Sequence, residues 1–374
     1  MKKNQLILGV VVLAALVALV VWGSNRIHFD FGVFRAQLAM ASWAKIGIAV
    51  GFIYIGYLFR SVRWAFLLRH EKKVPPFSLL STQVIGFAAV ALIGRVADPV
   101  RPYLVAKKTG LPLSNQFAVY IVERLFDFGA MALIISSALL WIPYPQTAAT
   151  TNTSGFFAHL LAPLLHRFPV LSEILTRFGA LLLTLVGVLV LVAVRLSGGV
   201  VARLAEKSFG LVSKNLGRAI GHKIRTFHAG LYAVRNFSDF AIVTALSLSM
   251  WCLITLAYLE TVQAFTASPE LAGMNLAKCI LLMAISGGAS ALQLPVLGWF
   301  SQIAFVAAAL SSFFGARPEA ATACAATLLF VTFLSIIPVG VIWARFEHVN
   351  LRKVTVESEH AGADLDENGI ATEA

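Results

Sequence analysis

The 374-residue chain is 59% hydrophobic and only 13% charged, against about 25% charged residues in an ordinary soluble domain, which argues against a cytosolic enzyme. A formal net charge of +12 together with a mean hydropathy of +0.82 excludes an acidic disordered chain and a basic soluble nucleic-acid binder, and leaves an integral membrane protein. Cys252, Cys279 and Cys324 all fall inside apolar runs, with no disulfide framework or zinc spacing.

Lys2 and Lys3 precede an apolar run over residues 6–22. That run is longer than the roughly 7–15 residues of a signal core and is followed by no small-residue cleavage site, so it reads as a retained first transmembrane helix. Further runs able to cross about 30 Å of hydrocarbon cover residues 43–59, 117–142, 178–194, 240–262 and 320–343. Two apolar stretches are less regular. Residues 77–94 carry Ser78, Ser81, Thr82 and Gln83, while residues 276–314 are interrupted by Gly287, Gly288, Pro295 and Gly298. Both predict broken or re-entrant helices, because freed backbone groups at membrane depth are tolerated only inside protein or along a wet cavity. The expected fold class is all-α: a polytopic helical membrane protein with about six full spans and two interrupted or re-entrant segments. Two full spans over 276–314 stay open, since its turn at 293–298 is uncharged.

Lys and Arg collect in cytoplasmic loops. With the N-terminus inside and both irregular stretches entering and returning, 23 of the 30 basic residues fall on the cytoplasmic side. This places both termini in the cytoplasm of a prokaryotic cell and the protein in its inner membrane. The order span, interrupted segment, span occurs twice, over residues 43–142 and 240–343, entering from opposite sides. Inverted repeats of this kind build many transporters, whose discontinuous helices meet at the substrate site.

The charges near the apolar segments concentrate in two places. GRVADPVRPYL, residues 94–104, contains Arg95, Asp98, Arg101 and Tyr103; Pro99 and Pro102 are expected to prevent a continuous helix and to push Asp98 toward an extended conformation. Glu123 and Asp127, spaced i and i+4, share a helical face beside Arg124. Charges of both signs at a membrane boundary pair with each other, since an isolated ion there is costly. Arginines in excess of carboxylates leave planar, two-pronged donors for a phosphate-bearing guest. A structural ion-pair cluster that pins the loop to the interface accounts for the same residues equally well. Arg60 and Arg63, beside Trp64 at the end of the second run, read first as interfacial snorkelling side chains and second as members of the site; Tyr103 reads as an interfacial anchor or a site residue.

RSVRWAFLL at 60–68, GRVADPVRPYLVAKKTG at 94–110 and VERLFD at 122–127 resemble the membrane domain of lysylphosphatidylglycerol synthases and the stand-alone flippase-like proteins related to it, over about residues 5–345. The resemblance implies an integral membrane domain that moves phospholipids or polyprenyl-linked lipids between leaflets. The family's second signature, a Pro- and Gly-rich loop ending in a glutamate, corresponds here to LPVLGWFSQ at 294–302, which contains Pro295 and Gly298, lacks paired glycines and ends in Gln302. That departure bears on any proton or cation coupling at this position. Aminoacyl transfer in those enzymes belongs to a separate soluble domain, and the residues after Arg345 are too few to form one. The chain thus reads as one membrane domain over residues 1–345 and a disordered acidic tail over 346–374, which holds 7 of the 18 acidic residues.

The basic stretch 196–239 has apolar residues at helical spacing and fits either a positive-inside loop or an amphipathic helix on an anionic leaflet. The connector 143–177 reads as flexible, ending in a short interfacial helix. His222 and His228, six residues apart and without nearby carboxylates, do not read as metal ligands. No cofactor or catalytic constellation is legible. The leading expectation is a lipid transporter with Arg95, Arg101 and Arg124 facing a groove between the interrupted segments. A regulator or scaffold of lipid or envelope synthesis is the alternative, and a membrane-embedded lipid-modifying enzyme is third. The expected partners are anionic lipid headgroups, with a homo-oligomer and envelope-biosynthesis enzymes as further partners this class admits, and no nucleic acid.

Overall fold

The computed structural model describes residues 29–141, 236–291 and 297–349, together with Val354, Thr355 and Glu357. The apolar runs expected at 6–22 and 178–194, the connector 143–177, nearly all of the basic stretch 196–239, and Pro295 lie outside the described residues. Every regular element among the described residues is helical.

Helix α1 (Phe31–Met40) is capped by the Asp30 carboxylate, which accepts from the backbone N–H of Gly32 at 2.7 Å and of Val33 at 3.2 Å. Helix α2 (Trp43–Leu68) is followed by α3 (Pro76–Ile93), whose first residue is a proline, favoured there because the first-turn N–H has no intrahelical partner. A short 3₁₀ turn (Arg95–Ala97) leads into α4 (Val100–Thr109), and α5 (Leu113–Trp141) closes the first half. The second half holds α6 (Phe237–Gln263), a single turn α7 (Pro269–Ala272), α8 (Leu276–Ala291), α9 (Leu297–Phe314) and α10 (Pro318–Leu329). The last of these runs through a π turn (Phe330–Leu334) into α11 (Ile336–Phe346).

The chain breaks at residues whose chemistry dictates it. Gly94 adopts φ 93° and ψ −170°, a conformation closed to L side chains, and there α3 stops. Gly110 caps α4 in the left-handed region, with Lys107 and Lys108 in the last turn facing the negative end of the helix dipole. Pro338 has no N–H for the Leu334 carbonyl, and just ahead of it the helix widens. Ser335 N donates to Phe330 O at 2.8 Å, and the Tyr54 hydroxyl donates to Ser335 O at 3.0 Å.

Two sequence expectations change here. Of the two alternatives for 77–94 the broken helix does not form: Pro76–Ile93 is continuous up to Gly94, and the hydroxyls of Ser78 and Thr82 bond back to Pro75 O and Leu79 O, both at 2.7 Å. Asp98 is not extended but right-handed helical, at φ −54° and ψ −38°. Pro99 precedes α4 and Pro102 sits in its first turn, where a missing N–H costs nothing. The break in this segment is made by Gly94, not by the prolines.

Helices α2 and α6 run antiparallel down the middle. Ser42 N donates to Ala264 O at 2.8 Å at one end, and Arg69 pairs with Asp239 at the other. Helices α3 and α4 form a hairpin whose open end lies at the Arg69 end: Lys72 Nζ donates to Thr109 O at 2.6 Å, and Lys108 Nζ donates to the Ser81 hydroxyl at 2.9 Å. Helices α8 and α9 form a second hairpin that opens at the Ser42 end. There Gln263 Nε2 donates to Met274 O at 3.0 Å, and Asp30 N donates to Glu319 just beyond the end of α9. The two hairpins meet tip to tip, where the Trp299 indole N–H donates to Ala91 O at 3.2 Å.

The packing pairs repeat. Exchanging α2 with α6, α3 with α8, α4 with α9 and α5 with the helix from α10 to α11 turns the set of neighbours into itself. Thus α3 packs on α11 as α8 packs on α5, α2 on α3 as α6 on α8, and α4 on α5 as α9 on α10. Small residues set the closest approaches: a Cβ on Gly340 of α11 would collide with Ala88 of α3.

By length and apolar composition, four of the described helices can cross a membrane: Trp43–Leu68, Pro76–Ile93, Phe237–Gln263 and Pro318–Phe346. Leu276–Gly288 and Gly298–Phe314 are apolar but shorter. The protein is a helical membrane protein. Some residues of the stretch that the sequence assigns to the tail are among those described. Glu347 binds Lys108 Nζ and the Ser81 hydroxyl, each at 2.6 Å; Val354 and Thr355 are buried; and Glu357 accepts from the Tyr103 hydroxyl at 3.0 Å.

Candidate functional site

The charged residues of three separate sequence motifs converge between α2, α4 and α5. Glu123 and Asp127, one helical turn apart on α5, present their carboxylates together, and Arg63 of α2 spans both. Its Nη2 donates to Glu123 Oε1 at 2.6 Å and its Nη1 to Asp127 Oδ1 at 2.7 Å, with the Ser247 hydroxyl of α6 at 2.6 Å from the same Nη1. Arg101 of α4 reaches Glu123 Oε2 at 3.3 Å and Gln83 Oε1 at 3.4 Å. Arg60 lies 3.4 Å from Asp127 Oδ2, and Arg124 lies 3.7 Å from the same oxygen. Four guanidinium groups therefore surround two carboxylates.

Aromatic rings hold the guanidinium planes in place. Arg101 lies over Phe87 at 4.4 Å and Tyr120 at 5.0 Å; Arg60 takes the Phe87 ring at 4.9 Å, and Arg124 takes Tyr120 at 5.2 Å. Arginine stays charged in any protein environment, so the two carboxylates leave this cluster two positive charges in excess. The Nε and Nη2 atoms of Arg124 make no hydrogen bond within the protein.

Beside the cluster, where the hairpin tips meet, lies a cavity of about 190 Å³. Its first wall carries Arg60, Arg95, Asp98 and Arg124; its second carries Trp251, Tyr258, Ser286 and Gln302; Thr332 and Phe333 of the π turn complete it. Every charged lining residue comes from the first half of the chain. On the opposite wall the Ser286 hydroxyl accepts from the Tyr258 hydroxyl at 2.8 Å and from Gln302 Nε2 at 3.1 Å.

A sequence model of the family described as lysylphosphatidylglycerol synthase TM region matches residues 6–340. The chain belongs to that family. Comparisons with curated proteins and with solved structures found no match. The match covers the membrane region of the lysylphosphatidylglycerol synthase family and no other domain.

In this family member the predicted site residues separate into two sets. Arg60, Arg95, Asp98, Arg124 and Gln302 line the cavity. Arg63, Arg101, Glu123 and Asp127 are buried in the adjoining cluster and do not line the cavity. The expectation that Arg101 faces the groove is therefore corrected: its side chain is 0% exposed, wedged against Gly86 and under Phe87. Arg63 does not snorkel either, being 1% exposed, because the Glu123 and Asp127 carboxylates supply inside the protein what water would supply at the interface. Arg95 and Asp98 approach each other at 3.9 Å at the cavity rim. Tyr103 stands apart, on Glu357, and Gly298 lies buried in the first turn of α9.

Sequence reasoning noted Gln83 only as a polar interruption and missed Gln116 and Ser247; Gln83 accepts from Arg101, Ser247 from Arg63, and Gln116 Oε1 from the Trp64 indole at 3.1 Å. Tyr258 and Ser286 were missed as well. Their signal was faint: single polar residues inside apolar runs. Among the described residues, no group of three or more His, Cys, Asp or Glu is placed to hold a metal ion.

Proposed function

We propose that this protein is a lipid transporter that passes the headgroup of an anionic phospholipid or polyprenyl-linked lipid through the cavity between the two hairpins while the acyl chains stay in the bilayer. The observation that carries this reading is the cavity's placement against a cluster with more guanidinium groups than carboxylates, two of whose arginines, Arg60 and Arg124, line it. A phosphate is the guest that a fixed arginine fork fits best. At about 190 Å³ the space is smaller than the roughly 300 Å³ of a drug-sized site, so it suits a headgroup and not a whole lipid.

The hairpins α3–α4 and α8–α9 enter the membrane from opposite faces and return, the flanking long helices span it, and the two halves are inverted repeats related by the exchange of packing partners described above. The Arg69 end, with Lys72, Lys73, Lys107 and Lys108, is the cytoplasmic face of the inner membrane. Rocking of one half against the other exposes the cavity to each leaflet in turn. The protein works without catalysis of its own. A regulator or scaffold needs no substrate path, and a polar cavity between the hairpins is not what that role calls for.

Purified full-length protein in liposomes, with fluorescent lipid in the inner leaflet and a membrane-impermeant quencher outside, tests the reading. Faster leaflet exchange of an anionic lipid than in protein-free vesicles supports it; exchange equal to that in protein-free vesicles for anionic phospholipid and polyprenyl phosphate alike overturns it.

A further inference from the structure

The cavity has two chemically unlike walls, one carrying arginines and the other neutral. Gln302 is 97% buried, and its Oε1 has no hydrogen-bond partner in the protein. The Trp251 indole N–H, on the same wall, also lacks one. An orphaned buried acceptor and donor each cost free energy unless a guest satisfies them. Turning the Gln302 amide over would give its oxygen to Ser286 and leave the amide nitrogen over, so either orientation keeps one polar atom for a ligand. No carboxylate stands on this wall. An ammonium group placed there would lose its water, and the carboxylate that lines the cavity, Asp98, stands on the other wall beside Arg95.

We infer that Gln302 determines headgroup specificity: the site takes a phosphodiester whose headgroup is neutral and hydroxyl-bearing, with the phosphate on Arg60 and Arg124 and a hydroxyl on Gln302, and it rejects headgroups that end in an ammonium. This rests on the reading of the cavity as a headgroup site. A polyol headgroup carries one hydroxyl to donate to Gln302 Oε1 and another to accept from the Trp251 N–H, which satisfies both orphaned groups. The phosphate supplies attraction common to all anionic lipids, and the second wall chooses among them.

The test is lipid-dependent thermal stabilisation of the full-length protein in detergent, titrated with phosphatidylglycerol, phosphatidic acid and phosphatidylethanolamine. Phosphatidylglycerol is expected to bind roughly tenfold more tightly than the other two. Gln302→Leu is expected to remove that advantage and leave phosphatidic acid unchanged, which also shows the variant to be folded. Gln302→Glu, which supplies the missing counter-charge, is expected to improve binding of phosphatidylethanolamine and weaken that of phosphatidylglycerol. Equal affinities of the wild type for phosphatidylglycerol and phosphatidic acid overturn the inference, as does a preference that survives Gln302→Leu. A separate arm isolates the underlying reading: if Arg124→Gln leaves binding of every anionic lipid unchanged, the cavity is not the headgroup site at all.

Discussion

The side chain of Arg101 fills the space that a β-carbon on Gly86 would need. A Cβ built on Gly86 collides with the Arg101 Cγ and crowds its Cβ and Cδ. The arginine cannot yield, because its guanidinium is held by Glu123 and Gln83 and covered by Phe87 and Tyr120. The motif arginine of α4 and a glycine in the middle of α3 are thus one structural unit, and they lock the two arms of the first hairpin together.

Gly86→Ala is therefore expected to destabilise the protein by about 1–3 kcal/mol, as overpacking does in a filled core. The readout is the melting midpoint in detergent. Gly129, whose added Cβ would meet nothing within 4 Å, supplies the comparison: Gly129→Ala should leave the midpoint unchanged or raise it.

Breaking the buried cluster should be more damaging than breaking any surface pair. Glu123→Gln leaves Arg63 and Arg101 short of their carboxylate, and loss of one member of a buried ion pair costs about 3–5 kcal/mol. Reduced yield and a lowered melting midpoint are the expected outcome. Simultaneous replacement of Glu123 and Arg101 by Gln and Met should recover part of the loss, because fewer uncompensated charges remain.

The contact between Lys108 and Glu347 is a different kind of pair. Both side chains are about a third exposed, at 32% and 30%, so the pair is worth at most about 1 kcal/mol. A double-mutant cycle with Lys108→Ala and Glu347→Ala should give a coupling energy no larger than that, and it should shrink as salt is added.

Much of this architecture was legible in the sequence because it is written in long-range hydropathy. The apolar runs over 43–59, 240–262 and 320–343 fall within real helices, and the family match, over residues 6–340, covers the first two and most of the third. The positions of Glu123, Asp127 and Arg124 on one helical turn were also readable, since an i, i+4 spacing fixes them once the helix is granted. Two things were not readable. Whether an arginine faces a cavity or lies beside it depends on tertiary contacts: Arg60 and Arg63 are three residues apart on α2, yet only Arg60 reaches the cavity, because Ser247 and the two carboxylates close over Arg63. The neutral wall was invisible for a related reason. Tyr258, Ser286 and Gln302 lie far apart in the chain and carry no charge, so only the fold brings them together.

Arg124 offers the cleanest test of the cavity, because it lines the space, has donors without hydrogen bonds, and only flanks the carboxylates that Arg63 grips directly. Losing a charge-assisted hydrogen bond costs about 1.5–3 kcal/mol, which is roughly 10- to 100-fold in affinity. Leaflet exchange of a fluorescent anionic phospholipid should be measured in liposomes containing wild-type protein, Arg124→Gln, or Lys278→Gln as an exposed basic control away from the cavity. The expected result is a loss of about tenfold or more in Arg124→Gln with its melting midpoint retained, and wild-type exchange in Lys278→Gln. Exchange by Arg124→Gln at the wild-type rate would contradict the assignment of this cavity as the headgroup path.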